Sequence, residues 1–109
     1  MRKKRRYLPQ TREASRMLGQ QIAIGRRERR WTVAELAERV GASPPTISRI
    51  EKGDPSVGLG VAFDTASILG IPLFSGDASL RAAVEAGDRD RLALLPARVR
   101  RQRKVEDDF

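Results

Sequence analysis

Apolar residues along this chain recur at helical spacing. Leu18, Ile22 and Gly25 mark one face of a first helix, expected from about Thr11 or Ser15 to Arg29. Val33, Leu36, Ala37 and Val40 form the inner stripe of a second, and Ile47 with Ile50 the inner side of a third. Leu59, Phe63, Ala66 and Leu69 predict a fourth over 59–69, closed by Gly70. The apolar segment 71–74 either begins a fifth helix or caps the core. Between 77 and 95, Leu80, Ala83, Val84, Arg91, Leu92 and Leu95 cluster on one side of a further helix despite Gly87, and Pro96 ends it. That tail helix either packs back on its own domain or offers a dimer or partner surface. No alternating strand pattern interrupts the domain, so an all-α fold is expected.

Start and stop signals concentrate in residues 31–53. Thr32 and Glu35 have capping-box spacing, with Trp31 and Leu36 placed as a hydrophobic staple. Gly41 stops this helix by accepting a left-handed backbone. Ser43 is then an N-cap with Pro44 at the first helical position, where a missing amide proton costs nothing. Gly53 ends the second short helix. A turn this tight folds one helix across the other, which is a helix-turn-helix. At 100° per residue, Pro45, Ser48, Arg49 and Lys52 fall opposite Ile47 and Ile50. An outer face of short polar and cationic groups suits the DNA major groove, which admits one α-helix. The bland alternative is a helical hairpin with a solvated outer face.

The 109 residues suffice for one compact domain with tails: a flexible basic arm at 1–10, a helix-turn-helix domain at 11–76, a tail helix at 77–95 and a flexible tail at 96–109. The net charge of +8 favours a polyanionic partner, and it is unevenly spread. Residues 1–30 carry 11 basic and 2 acidic side chains, whereas residues 31–95 carry 6 and 9. The arm therefore either lies along phosphates or in a minor groove, or is a solvated tail adding non-specific attraction. Arg26, Arg27, Arg29 and Arg30 crowd the end of the first helix. The helix dipole explains part of that cluster, and its density suggests a phosphate-facing edge.

With no cysteine and no histidine, thiolate and imidazole metal sites and the usual nucleophile–base pairs are excluded. No cofactor, metal or enzymatic activity is expected. No apolar stretch approaches the roughly 20 residues that span a bilayer, and the basic N-terminus lacks the apolar core of a secretory signal. A cytoplasmic, nucleoid-associated protein without a membrane partner is the expectation.

Leu18, Ile22, Arg26, the 32–37 block, Val40-Gly41, the 46–51 block, Gly53 and Leu69-Gly70-Ile71 together resemble the Xre/Cro family of helix-turn-helix domains. The resemblance covers 18–74. It implies a five-helix lambda-repressor-like fold, operator binding as a homodimer, and an ion pair between Arg26 and Glu51. A narrower resemblance over 51–109 is to HipB-like antitoxins, which partner HipA-like serine/threonine kinase toxins and repress the shared operon. It rests on the run from Glu51 to Phe63, on 69–74 and on the run from Arg91 to Arg101. Val33, Pro44 and Pro45 stand where the broad family often has hydrogen-bonding glutamines. Arg30 stands where glycine often ends the first helix, implying a strained left-handed residue or a different loop.

The expected partner is thus double-stranded operator DNA. Arg49 is the candidate for guanine O6 and N7, with Ser43, Thr46, Ser48 and Lys52 as further contacts and Pro44 and Pro45 against thymine methyls. Arg27, Arg30 and the arm would supply sequence-independent attraction. In the tail, Leu92, Leu95 and Phe109 are the candidate toxin-docking residues. The alternatives are a stand-alone Xre/Cro-type regulator without a toxin, and a protein-interaction adaptor that does not bind DNA.

Overall fold

The computed structural model describes residues 6–74 and 76–101. Its described residues form five helices and no strand: α1 (Pro9–Glu28), α2 (Val33–Val40), α3 (Pro44–Glu51), α4 (Leu59–Ile68) and α5 (Ala78–Leu94). The fold is all-α, as expected of a lambda-repressor-like helix-turn-helix domain. It divides into two compact units, Met1–Leu73 and Phe74–Phe109.

In the first unit α1 starts earlier than its apolar periodicity suggests. Pro9, expected within the arm, instead occupies the first helical position, so Gln10 is helical too. Proline's fixed φ and absent donor suit the first turn, where amides lack intrahelical acceptors anyway. α2 begins with the full capping box: the Glu35 amide donates to Thr32 Oγ1 at 3.0 Å and the Thr32 amide to Glu35 Oε1 at 3.1 Å. α3 begins at Ser43, whose Oγ accepts the Thr46 amide at 3.3 Å.

All four helices of this unit end alike, with a left-handed residue and a pair of amide bonds reaching back into the last turn. Gly41, Gly53 and Gly70 take that position at φ of 80°, 78° and 71°. Arg30 takes it after α1 at φ 58°, the one non-glycine residue with positive φ among those described. Its amide donates to Arg27 O and that of Trp31 to Arg26 O. Arg30 is therefore the strained left-handed residue, not a sign of a different loop.

Ile22, Leu36, Ala37, Ile47, Ile50, Ala66 and Leu69 form the core, with Leu18, Trp31, Val33, Val40, Val57, Val61 and Ile71 packed around it. Fully burying each large aliphatic side chain stabilises the fold by about 1.5–3 kcal/mol relative to exposure. Leu59, expected inside, is 68% exposed: it is the first residue of α4 and, although on the same side as Ala66, stands two turns before it and outside the core cluster. Thr65 is buried instead and donates its hydroxyl to Val61 O at 2.7 Å. Residues 71–74 form no helix, and Ile71 closes the core. Gly19 is where α1 crosses the end of α3, its Cα facing the carbonyls of Ile50 and Glu51.

The second unit holds α5, capped by Asp77, whose Oδ1 accepts the amides of Ser79 at 2.8 Å and Leu80 at 3.3 Å. No residue of α5 is buried. Phe74, Leu80 and Val84 line an apolar groove bordered by Arg81, Glu85 and Asp88. Residues 96–101 have no regular structure.

Candidate nucleic-acid interface

The outer face of α3 follows from how its inner face is held. Ile47 and Ile50 are buried, which turns Pro44, Pro45 and Arg49 to solvent and leaves Ser48 half-buried; Lys52, at the end of the helix, is exposed. Ser43 is exposed at the helix start, and its hydroxyl lies 2.9 Å from that of half-buried Thr46. In such a pair one hydroxyl donates to the other, leaving one hydrogen for an outside acceptor.

Arg26 locks this helix to α1. Its Nε donates to Glu51 Oε2 at 2.6 Å and its Nη2 to Glu51 Oε1 at 3.0 Å, while Nη1 reaches Trp31 O at 2.8 Å. Both side chains of the ion pair are about nine-tenths buried, at 12% and 10% exposure. The charge-assisted bonds to Glu51 raise the Arg26 pKa, against the lowering effect of burial. A two-pronged pair of this kind fixes orientation as well as distance.

Arg49 is not a free side chain. Its Nε donates to Asp54 Oδ2 at 3.0 Å and its Nη2 to Ser56 Oγ at 3.1 Å. Asp54 also accepts the Ser56 hydroxyl at 2.6 Å and the Ser56 amide at 2.8 Å. These bonds, the Ser56 hydroxyl first, then its amide and then Arg49, hold the Asp54 carboxyl down at about 2. A guanidinium carries five N–H donors. The network takes one edge of Arg49 and leaves Nη1 with the outer hydrogen of Nη2, a fork of the kind that pairs with guanine O6 and N7. Periodicity does not reveal Asp54 and Ser56, although an aspartate two residues before a serine is a turn signal.

The arginine cluster at the end of α1 separates into structural and exposed members. Arg26 is buried in its ion pair. Arg29, expected to join a phosphate-facing edge, donates from Nη1 to Gly25 O at 3.0 Å and from Nη2 to Leu69 O at 2.9 Å, tying α1 to the end of α4. Its guanidinium lies 5.7 Å from the Trp31 ring centre, and that of Arg39 lies 4.0 Å from it. Arg27 and Arg30 are exposed. In the tail, Leu92 and Leu95 are 68% and 60% exposed. Phe109 and residues 1–5 of the arm lie outside the described residues.

Among the described residues no three His, Cys, Asp or Glu side chains are grouped to hold a metal ion, and no helix is long and apolar enough to cross a membrane. Two short helices, the second braced to α1 by a buried ion pair and presenting a polar and cationic face, define a helix-turn-helix domain. The comparison with protein families agrees: residues 22–74 match the family model described as Helix-turn-helix. Helix-turn-helix segments are characteristic of DNA-binding transcription regulators. No curated protein and no solved structure matches the chain.

Proposed function

We propose that the chain is a sequence-specific repressor that binds a near-palindromic operator as a homodimer, each α3 entering the major groove of one half-site. Half-sites would lie about one helical turn apart. The observation that carries this reading is the exposed face of α3, with Arg49 braced at one edge and open at the other. Arg49 reads a guanine; Ser43, Thr46, Ser48 and Lys52 contact bases or phosphates; Pro44 and Pro45 pack against thymine methyls. Arg27 and Arg30 attract phosphates without reading sequence. With so few hydrogen-bonding groups on the face, DNA shape supplies part of the discrimination.

The test is footprinting and binding titration on the region upstream of the chain's own gene. Arg49→Ala should cost about 1–3 kcal/mol and relax preference at one base pair. Equal weakening on every sequence would reduce Arg49 to a phosphate contact, and absent or salt-insensitive binding would favour an adaptor.

The operon role we propose is that of an antitoxin whose tail docks on a HipA-like kinase in the cytoplasm, coupling neutralisation to repression. Its support is the resemblance over 51–109 together with the exposed apolar side of α5, where Leu80, Val84, Leu92 and Leu95 have no buried environment. A neighbouring kinase-sized reading frame whose product co-purifies with the full chain, but not with one ending at Gly76, supports the pairing. Equal co-purification of both removes the tail's role, and absence of such a neighbour leaves a stand-alone regulator.

A further inference from the structure

Beside the recognition helix, a cavity of about 500 Å³ opens between the first half of α1 and the loop joining α3 to α4. Tyr7, Arg12, Arg16, Lys52, Asp54 and Ser56 are among its walls. The loop is pressed against α1 at Gly53, where a Cβ would stand 2.8 Å from Arg16 Cα, so the backbone itself sets Arg16 beside the loop. Arg12 lies one turn earlier on the same face of α1. Lys52 faces them as the C-cap of α3.

The charge balance of this cavity is one-sided. Among the described residues Asp54 is its one carboxylate, and that group is committed to Ser56 and Arg49. Arg12, Arg16 and Lys52 form neither ion pairs nor side-chain hydrogen bonds with the described residues. Three cations converging without a counter-charge repel one another, and an anion placed among them relieves that repulsion.

The location selects the anion. An eight-residue helix such as α3 is about 12 Å long, close to the roughly 12 Å width of the major groove. With its first turn at the base edges, its end emerges at the groove wall, where the phosphates run. We infer that Arg12, Arg16 and Lys52 form a clamp for the phosphodiester backbone at the edge of the half-site, with α1 supplying two of its three cations. This rests on the DNA-binding reading above and extends the binding surface from the end of α3 onto the first half of α1.

The experiment compares the full chain with Arg12→Ala/Arg16→Ala and with Lys52→Ala on two duplexes, one from its own upstream region and one unrelated, across a range of salt. The clamp predicts weaker binding to both duplexes by a similar factor. It also predicts a salt dependence, log K against log salt, shallower by about 0.9 for each phosphate left without its cation, hence about 2 for the double variant. Methylphosphonate linkages at the half-site edge should weaken the full chain more than the double variant, which keeps only Lys52 of the clamp. Loss confined to one base pair, or an unchanged salt slope, overturns the clamp while leaving DNA binding intact. Stoichiometric binding of inorganic phosphate with an unchanged salt slope reassigns the cavity to a small free anion. If the full chain binds neither duplex, both readings fall. The substituted arginines are exposed on a helix, and circular dichroism verifies that the variants fold.

Discussion

Replacing Gly19 with alanine sets a methyl group against the carbonyl oxygens of Ile50 and Glu51, the latter only 2.8 Å away. Real Cβ atoms essentially never come within 3.0 Å of such a neighbour, and here the neighbour is backbone, which cannot swing aside. α1 and the end of α3 must separate by several tenths of an ångström or more. Overpacking of this kind typically costs about 1–3 kcal/mol, and a rigid obstacle argues for the upper part of that range. Alanine offsets about 1 kcal/mol of this through its better helix propensity, so the expected net loss is about 1–2 kcal/mol. For a unit of this size that lowers Tm by about 4–16 °C. Gly60→Ala is the matched control, since Gly60 is helical and a Cβ there meets nothing within 4 Å. It should stabilise by about 0.5–1 kcal/mol. Thermal and urea unfolding followed by circular dichroism measure both. A Gly19→Ala protein as stable as the parent, or shifts of the same sign in the two variants, would refute the close approach of α1 to α3.

Glu51→Gln leaves the buried Arg26 charge without its counter-ion and should cost about 2–4 kcal/mol in urea unfolding, whereas Arg26→Met/Glu51→Leu should recover much of the loss. Arg30→Gly removes a left-handed arginine and should stabilise by about 0.5–1 kcal/mol after allowing for the freer unfolded chain. The same variant should bind DNA more weakly in titrations, because an exposed cation is removed. Asp54 titrates at about 2 in the folded chain against an ordinary value near 3.8, so its network is fully stabilising above pH about 4 and is lost as pH falls toward and through 2. Asp54→Asn should therefore flatten the acid limb of stability in that window, read from urea midpoints, with little change in the slope near neutrality.

Much of the helix-turn-helix is legible in the sequence because its signals are local. A cap joins residues three apart, and a left-handed stop needs a residue able to adopt positive φ, so Thr32 with Glu35, Ser43 with Pro44, and Gly41, Gly53 and Gly70 can be read in order. Apolar spacing likewise assigns Ile22, Leu36, Ile47 and Ile50 to the inside. The start of α1 escapes such a reading because proline looks like a breaker, although its effect reverses in the first turn. Leu59 is misplaced because spacing alone does not say how far along a helix the core extends.

The roles of the arginines are less legible. Arg26, Arg27, Arg29 and Arg30 look equivalent as a charge cluster, and only the family resemblance marks the first for Glu51; the fold makes that pair and ties the third to Gly25 and Leu69. It strains the fourth at φ 58°. Arg12 and Arg16 carry no local signal, since nothing near them in the chain points them at a loop some forty residues away. The Asp54 and Ser56 brace on Arg49 has the same character.

The sequence by itself thus determined where the helices lie, most of their ends, most of the inner faces and the excess of positive charge, because each depends on neighbours within about one turn. Beyond the Arg26 and Glu51 pair that the resemblance implies, only the tertiary structure decided which cations hold the helices together and which still face outward. Guanidinium and carboxylate partners are selected by distance in space, and a close approach such as that at Gly19 exists only once α1 has crossed α3.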